Sequence, residues 1–547
     1  MTRIAWVIAA TAVSAAAQWA HREGDPMPAD RGELVEEFTK AQWDASNFAP
    51  AREVERFRDL RYGMFIHFGV TCKAQRDISW GSIPWSDQRS PDQGHAMSNG
   101  SVPTSEWTTW AKDMRLEKFN AVAWVELARQ CGYQYIVVTV KHHEGFHMWD
   151  TAFSDFKITN TPFARDYFKE LTQACHAAKM PVGVYYSQRD FYHPDYQPVD
   201  HAKTETVGQY GWKLKPGQTS PLGPRHQDYI DYQFKVCREL CTKYGRIDFW
   251  WWDAVSLNGM FTAAMWDAEK LCRMVRELQP HIVMNNRCSL PGDFDTPEQR
   301  LGSFEDWRAW ETCMPIQADG GWAYSGAPVK PLAERIRILV NNVCGDGNTL
   351  MSWGPHWDGA FDDAQIKAQL EMGEWVKRNA QAIYQTRGGP WKPAAWGGST
   401  RRDHTAWLHV TKWPGETLRV AAIPGRVVKS ARLLGGEAVA FEQAAAILTV
   451  TRPRAQQDPV VTIIELVFDG PVSGLPVVDG AARPAQVKAT AAPPACSESV
   501  LFAEGRDGYR AYRIRFASPP SHRSARGSNR PVPTTTTTAC QTRNHEK

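Results

Sequence analysis

The stretch YIVVTVKHHEGFHMWDTAFSDF, residues 135–156, passes in one step from an apolar, β-branched run into a lysine, two histidines and a glutamate. Its first six residues have the composition of a buried strand. A strand that ends in Lys141, His142, His143 and Glu144 delivers polar side chains to the mouth of a fold, where loops carry chemistry on a rigid scaffold. The same alternation recurs along the chain. Strand-like runs cover 64–68, 182–186, 247–252, 282–285 and 350–353, and helix-like segments at 121–131, 166–179, 229–243, 263–278 and 332–343 lie between them. Strand then helix, repeated, predicts a parallel sheet.

An open doubly wound sheet and a closed barrel both satisfy that pattern. Polar residues follow one strand after another: His67, then Lys141 with His142 and His143, then Ser187, Asp253 and Arg287. Several strand ends therefore converge on one face, as in a barrel. No glycine-rich dinucleotide fingerprint follows the first strand, which counts against the open sheet. The expected fold is α/β, a (β/α)8-like TIM barrel over 45–385 followed by a small antiparallel β-sandwich over 386–475. The sandwich is read from short β-branched runs at 418–423, 427–434, 446–450 and 460–467, punctuated by Gly and Pro. From 476 to 547 Pro, Ala, Ser, Thr and Arg dominate, and the stretch is read as a disordered tail.

Sixty-three Lys and Arg against 60 Asp and Glu leave a net charge of +3, too weak a field to argue for nucleic acid. The N-terminus, MTRIAWVIAATAVSAAAQ, has one arginine, a short apolar stretch and small residues at Ala15–Ala17. It reads as a signal peptide over 1–17, with an uncleaved anchor as the competing reading, and predicts an exported chain, periplasmic or extracellular, whose mature form spans no membrane. Eleven cysteines with irregular spacing give no disulfide framework; Cys237 and Cys241 share a helix face as packing. The 24 tryptophans supply either core or flat platforms of the kind that sugars stack on.

The chemistry lies in carboxylates. Asp253 closes RIDFWWWD, where a buried strand meets solvent. The segment after the next strand offers Glu298, in TPEQ, and Glu311, in WETCM, both in apolar or aromatic company that raises a carboxyl pKa and suits a general acid. Two such carboxylates on neighbouring strand ends are the equipment of a retaining glycosidase. A metal is the competing use of His142, His143 and His147, but they leave a strand and no H-E-x-x-H is present.

Across 57–384 the chain resembles glycoside hydrolase family 29, the α-L-fucosidases. The resemblance rests on RYGMFIHFG, on EKFNAVAWVELARQCGYQYIVVTVKHHEGFHMWD, on VGVYYSQRDFYHPDY, on YGRIDFWWWD, on GDFDTPEQ with WETCM, and on GDGNTLMSWGPHWDG. It implies Asp253 as nucleophile, His67, His142 and His143 on the fucose hydroxyls, Tyr186 near the sugar, Arg287 after the paired asparagines, and Glu106 with Trp107 as a sugar-contacting pair. The acid/base is Glu298 as first choice and Glu311 as the alternative. No cofactor and no metal are implied, and the partner is a fucosylated glycan. Glu144 stands where the family usually has Asp, Phe191 where it has Trp, and Ala254 where it has Gly. The other readings are a related sugar, such as an α-L-galactoside, and a catalytically silent sugar-binding barrel.

Overall fold

The computed structural model describes residues 46–75, 78–79, 104–196, 225–254, 262–444, 446–454 and 458–480, and the backbone of 496–505 and 508–517. The leader expected over 1–17 lies outside the described residues. Eight parallel strands form one sheet: β1 (Tyr62–Ile66), β2 (Tyr135–Lys141), β3 (Val182–Tyr186), β4 (Phe249–Trp252), β5 (Val283–Met284), β6 (Phe294–Asp295), β7 (Ala309–Pro315) and β8 (Asn348–Trp353). Their order is β5-β4-β3-β2-β1-β8-β7-β6. A parallel bridge from Asn285 to Phe294 joins the two ends and closes the ring. The chain is a TIM barrel, although no helix separates β5, β6 and β7.

The strands are buried on both faces, so alternation decides which side chain looks inward. In β4, Phe249 and Trp251 face the barrel interior together with the following Asp253. Trp250 and Trp252 take the opposite face and pack with Tyr186. Gly63 of β1 has a specific reason. A Cβ there would overlap the Tyr135 ring, which fills the lower barrel beside Phe249. The helix Ala51–Leu60 stoppers that end: its Phe57 meets Tyr135, Phe249 and Phe294 at centroid distances of 6.0, 5.4 and 4.6 Å. Below it, buried Asp346 pairs with both Arg58 and Arg61 and accepts from the Gly388 amide at 3.0 Å.

Past Gln385 the chain forms a five-stranded antiparallel sheet and a three-stranded one. Leu408, Leu418, Val420, Leu448, Val450, Ile464 and Leu466 fill the space between them. Alternate residues Trp407, Val461 and Ile463 point the other way, into the core of the barrel. The strands Thr405–Val410 and Thr462–Phe468 thus each serve two interfaces with period two. Within the stretch read as a disordered tail, Cys496–Gly505 and Gly508–Ala517 pair as an antiparallel hairpin. The alternation Arg513, Ile514, Arg515, Phe516 is a strand signal that a reading by composition overlooks. The nine cysteines whose side chains are described are buried and none is in a disulfide. No helix among the described residues is long and apolar enough to cross a membrane.

Candidate active site

The C-terminal ends of β1, β2, β3, β4 and β5 bring His67, His142, His143, Tyr185, Asp253 and Arg287 to one mouth. Asp253 is the hub. Its Oδ1 accepts from Arg287 Nη1 at 3.0 Å, its Oδ2 accepts from the Tyr185 hydroxyl, and His143 Nε2 lies 3.5 Å from Oδ2. Its backbone amide donates to Gln188 Oε1 at 3.2 Å. Burial alone pushes the carboxyl up. The Arg287 and Arg189 charges and the Tyr185 hydrogen bond outweigh it and hold the group below its ordinary 3.8. The hub is an anion at any physiological pH.

Arg287 has a second carboxylate. Its Nη2 lies 2.9 Å from Glu298 Oε2, while Nε donates to Thr296 Oγ1 at 2.8 Å. One guanidinium, fixed at its inner nitrogen, spans Asp253 and Glu298, an arrangement compatible with the about 5 to 5.5 Å carboxylate spacing of retaining glycosidases. Glu298 keeps 29% of its side chain exposed.

Three histidines are each held from behind by a serine: His67 Nδ1 by Ser352 at 2.8 Å, His142 Nδ1 by Ser79 at 2.6 Å, and His143 Nδ1 by Ser187 at 2.6 Å. With Nδ1 so engaged, His143 turns its Nε2 toward the Asp253 carboxylate. Burial drops His67 to about 3 and carries His142 and His143 well below 6.5, so all three are neutral. Neutral imidazoles donate or accept, as vicinal sugar hydroxyls require. Ser79 also bonds the Glu144 carboxyl, so the residue that departs from the family pattern sits behind His142. Burial raises Glu144 to about 8. Aromatic walls complete the pocket: Trp322 lies 5.0 Å from the His67 ring, and Trp251 stacks on Tyr185 at 5.7 Å.

Some expected residues sit elsewhere. Tyr186 is on the outer face of β3 with the Lys141 ammonium 4.9 Å over its ring, and Tyr185 takes the pocket side. Strand alternation permits only one of the two inward, and the register irregularity between Thr139 and Lys141 sends Lys141 outward to Asp190 at 3.2 Å while His142 stacks on Tyr185. Glu311 does not reach the mouth. It is the third residue of β7, 1% exposed, with one oxygen accepting from Trp251 Nε1 at 3.1 Å and the other from the Tyr135 hydroxyl. Burial raises it to about 7. So placed, Glu311 is part of the barrel core, whereas Glu298, which shares Arg287 with Asp253, is 29% exposed. Glu106 is exposed, and Trp107 is buried with its ring 5.8 Å from that of Phe156.

His142, His143 and Asp253 present three ligand-type atoms within 4.8 Å of one another. Both Asp253 oxygens already accept from Arg287 and Tyr185, so a divalent cation there would face a guanidinium across one carboxylate. The donor set suits a sugar ring better than an ion.

A family model described as Alpha-L-fucosidase matches residues 32–381. The chain belongs to the α-L-fucosidase family. It is 25% identical over 386 residues to the plasma alpha-L-fucosidase of Rattus norvegicus, covering 65% of this chain and 77% of that one. It is 24% identical to the Homo sapiens plasma enzyme, covering 65% and 76%. Among solved structures, alpha-L-fucosidase isoenzyme 1 from Paenibacillus thiaminolyticus superposes with a TM-score of 0.65 at 28% identity, covering 76% of this chain and 99% of that one. A Bacteroides thetaiotaomicron GH29 alpha-L-fucosidase gives 0.64 at 25%, covering 81% and 98%. This family member is a glycoside hydrolase acting on fucosides.

Proposed function

We propose that the protein is an exported, retaining exo-α-L-fucosidase that removes terminal fucose from glycans or glycoconjugates by double displacement. The observation that carries the reading is the single guanidinium of Arg287 spanning two carboxylates, one enclosed and held ionised, the other partly exposed. Asp253 attacks the anomeric carbon and Glu298 protonates the departing oxygen, giving a fucosyl ester on Asp253. Esterification removes the Asp253 charge. Glu298, having given its proton to the leaving group in the first step, takes one from the water that cleaves the ester in the second. The three neutral histidines take the ring hydroxyls, and Trp322 offers an apolar wall for the 6-methyl group. Export rests on the N-terminal leader pattern.

Proton NMR of the first-formed sugar tests the mechanism. Hydrolysis of 4-nitrophenyl α-L-fucoside should yield α-L-fucose before mutarotation; β-L-fucose appearing first would contradict a double displacement. The same assay with the α-L-galactoside reads whether the pocket tolerates a hydroxyl in place of the methyl.

A further inference from the structure

Glu311 poses a problem that the two-carboxylate mechanism does not use. A barrel core has no need of a carboxyl group, since burying one is costly and a leucine would fill the space. Here both oxygens are spoken for, by the Trp251 indole N–H at 3.1 Å and by the Tyr135 hydroxyl. Trp251 is no ordinary core residue. The Arg287 guanidinium carbon lies 4.6 Å from its ring centroid, Tyr185 stacks on it at 5.7 Å with 19° between the planes, and Phe65 packs at 5.2 Å. Arg287 and Tyr185 are the two side chains that hold the carboxylate oxygens of Asp253. An indole packed by its faces alone can still turn within its plane, whereas a hydrogen bond at Nε1 fixes that rotation.

We infer that Glu311 is a positioning residue, which locks the plane of Trp251 from beneath and thereby sets Arg287 and Tyr185 against the nucleophile Asp253. The inference rests on the fucosidase reading of the pocket. It assigns the buried acid a role in geometry rather than in proton transfer. Displacements of about 1 Å transmitted to a reacting pair cost on the order of 10²-fold in rate, so the effect is large enough to measure.

The test compares Glu311→Leu, Glu311→Gln and Trp251→Phe on two α-L-fucosides, one with a poor and one with a highly activated phenolate leaving group. Glu311→Leu should lower kcat/KM by about 10- to 100-fold, equally for both substrates and with no rescue by azide. Glu311→Gln, whose amide oxygen still accepts from the indole, should recover most of that loss. Trp251→Phe, which deletes the N–H and keeps a ring, should reproduce it with Glu311 intact, and so reports even if Glu311→Leu does not fold. The double variant Trp251→Phe/Glu311→Leu should be no worse than either single one. Wild-type kcat/KM in Trp251→Phe or in a folded Glu311→Leu would overturn the inference. So would a loss confined to the poor leaving group and rescued by azide, which would make Glu311 the acid itself. A wild type with no turnover of either fucoside is a separate result that removes the functional reading, and this inference with it.

Discussion

Arg287 carries the most chemistry for one side chain in this molecule, because its two terminal nitrogens hold different carboxylates. Removing the open one should separate the two half-reactions. Glu298→Ala should slow hydrolysis of fucosides with poor leaving groups by about 10²- to 10⁴-fold, spare activated aryl fucosides in the first step, and form α-fucosyl azide when azide is added. An unchanged rate on a natural oligosaccharide would remove Glu298 from the acid/base role. At this scale the sequence discloses residue types better than orientation. Asp253 and the histidines are legible because each ends a strand-like run. Tyr185 is not distinguished from Tyr186, since parity in a five-residue strand flips with one residue of register and the bulge before Lys141 is invisible in composition. Trp322 sits in the loop after β7, far along the chain from the pocket it walls.

The elements show why the barrel is rigid where it must be. Gly63 leaves room for Tyr135, whose hydroxyl is fixed by Glu311. Gly63→Ala should therefore destabilise the fold by about 1–3 kcal/mol through overpacking, read as a lower urea midpoint; an unchanged midpoint would show that the ring can move aside. The central strands of the barrel, β1 to β4, and β8 are legible in their apolar runs. β6 is not, because two residues carry no periodicity, and β7 is not, because Glu311 and Thr312 interrupt its pattern. The helix Asp363–Asn379 is half solvent-facing and polar, and only its N-cap Asp362, accepting from Ala364 and Gln365 amides, marks it.

Across the whole molecule, the buried titratable groups predict how stability depends on pH. His67, His142, His143, His147 and His409 are all held below 6.5 by burial. The unfolded chain takes up protons at these sites first, so stability falls as pH drops through about 6.5. Glu311 and Glu144 are raised, to about 7 and about 8, so their contribution is full below the ordinary 4.5 and is lost as pH rises through those values. The two trends should place maximum stability near pH ~7, checked by urea midpoints from acid to alkaline pH. A maximum near pH 5 would mean that the histidines are not buried neutral. Asp346, held down against burial by Arg58 and Arg61, adds an acid limb only below 3.8. The sandwich shares its Trp407 and Ile463 face with the barrel, so both parts should melt in one transition.

The nucleophile is the central claim, and Asp253→Gly tests it most directly. The variant should lose turnover of 4-nitrophenyl α-L-fucoside, and added azide should restore it with β-L-fucosyl azide as the product, because azide enters the space that the carboxylate leaves. Wild-type activity in the variant, or lost activity that azide restores only as the α-azide, would contradict attack by Asp253.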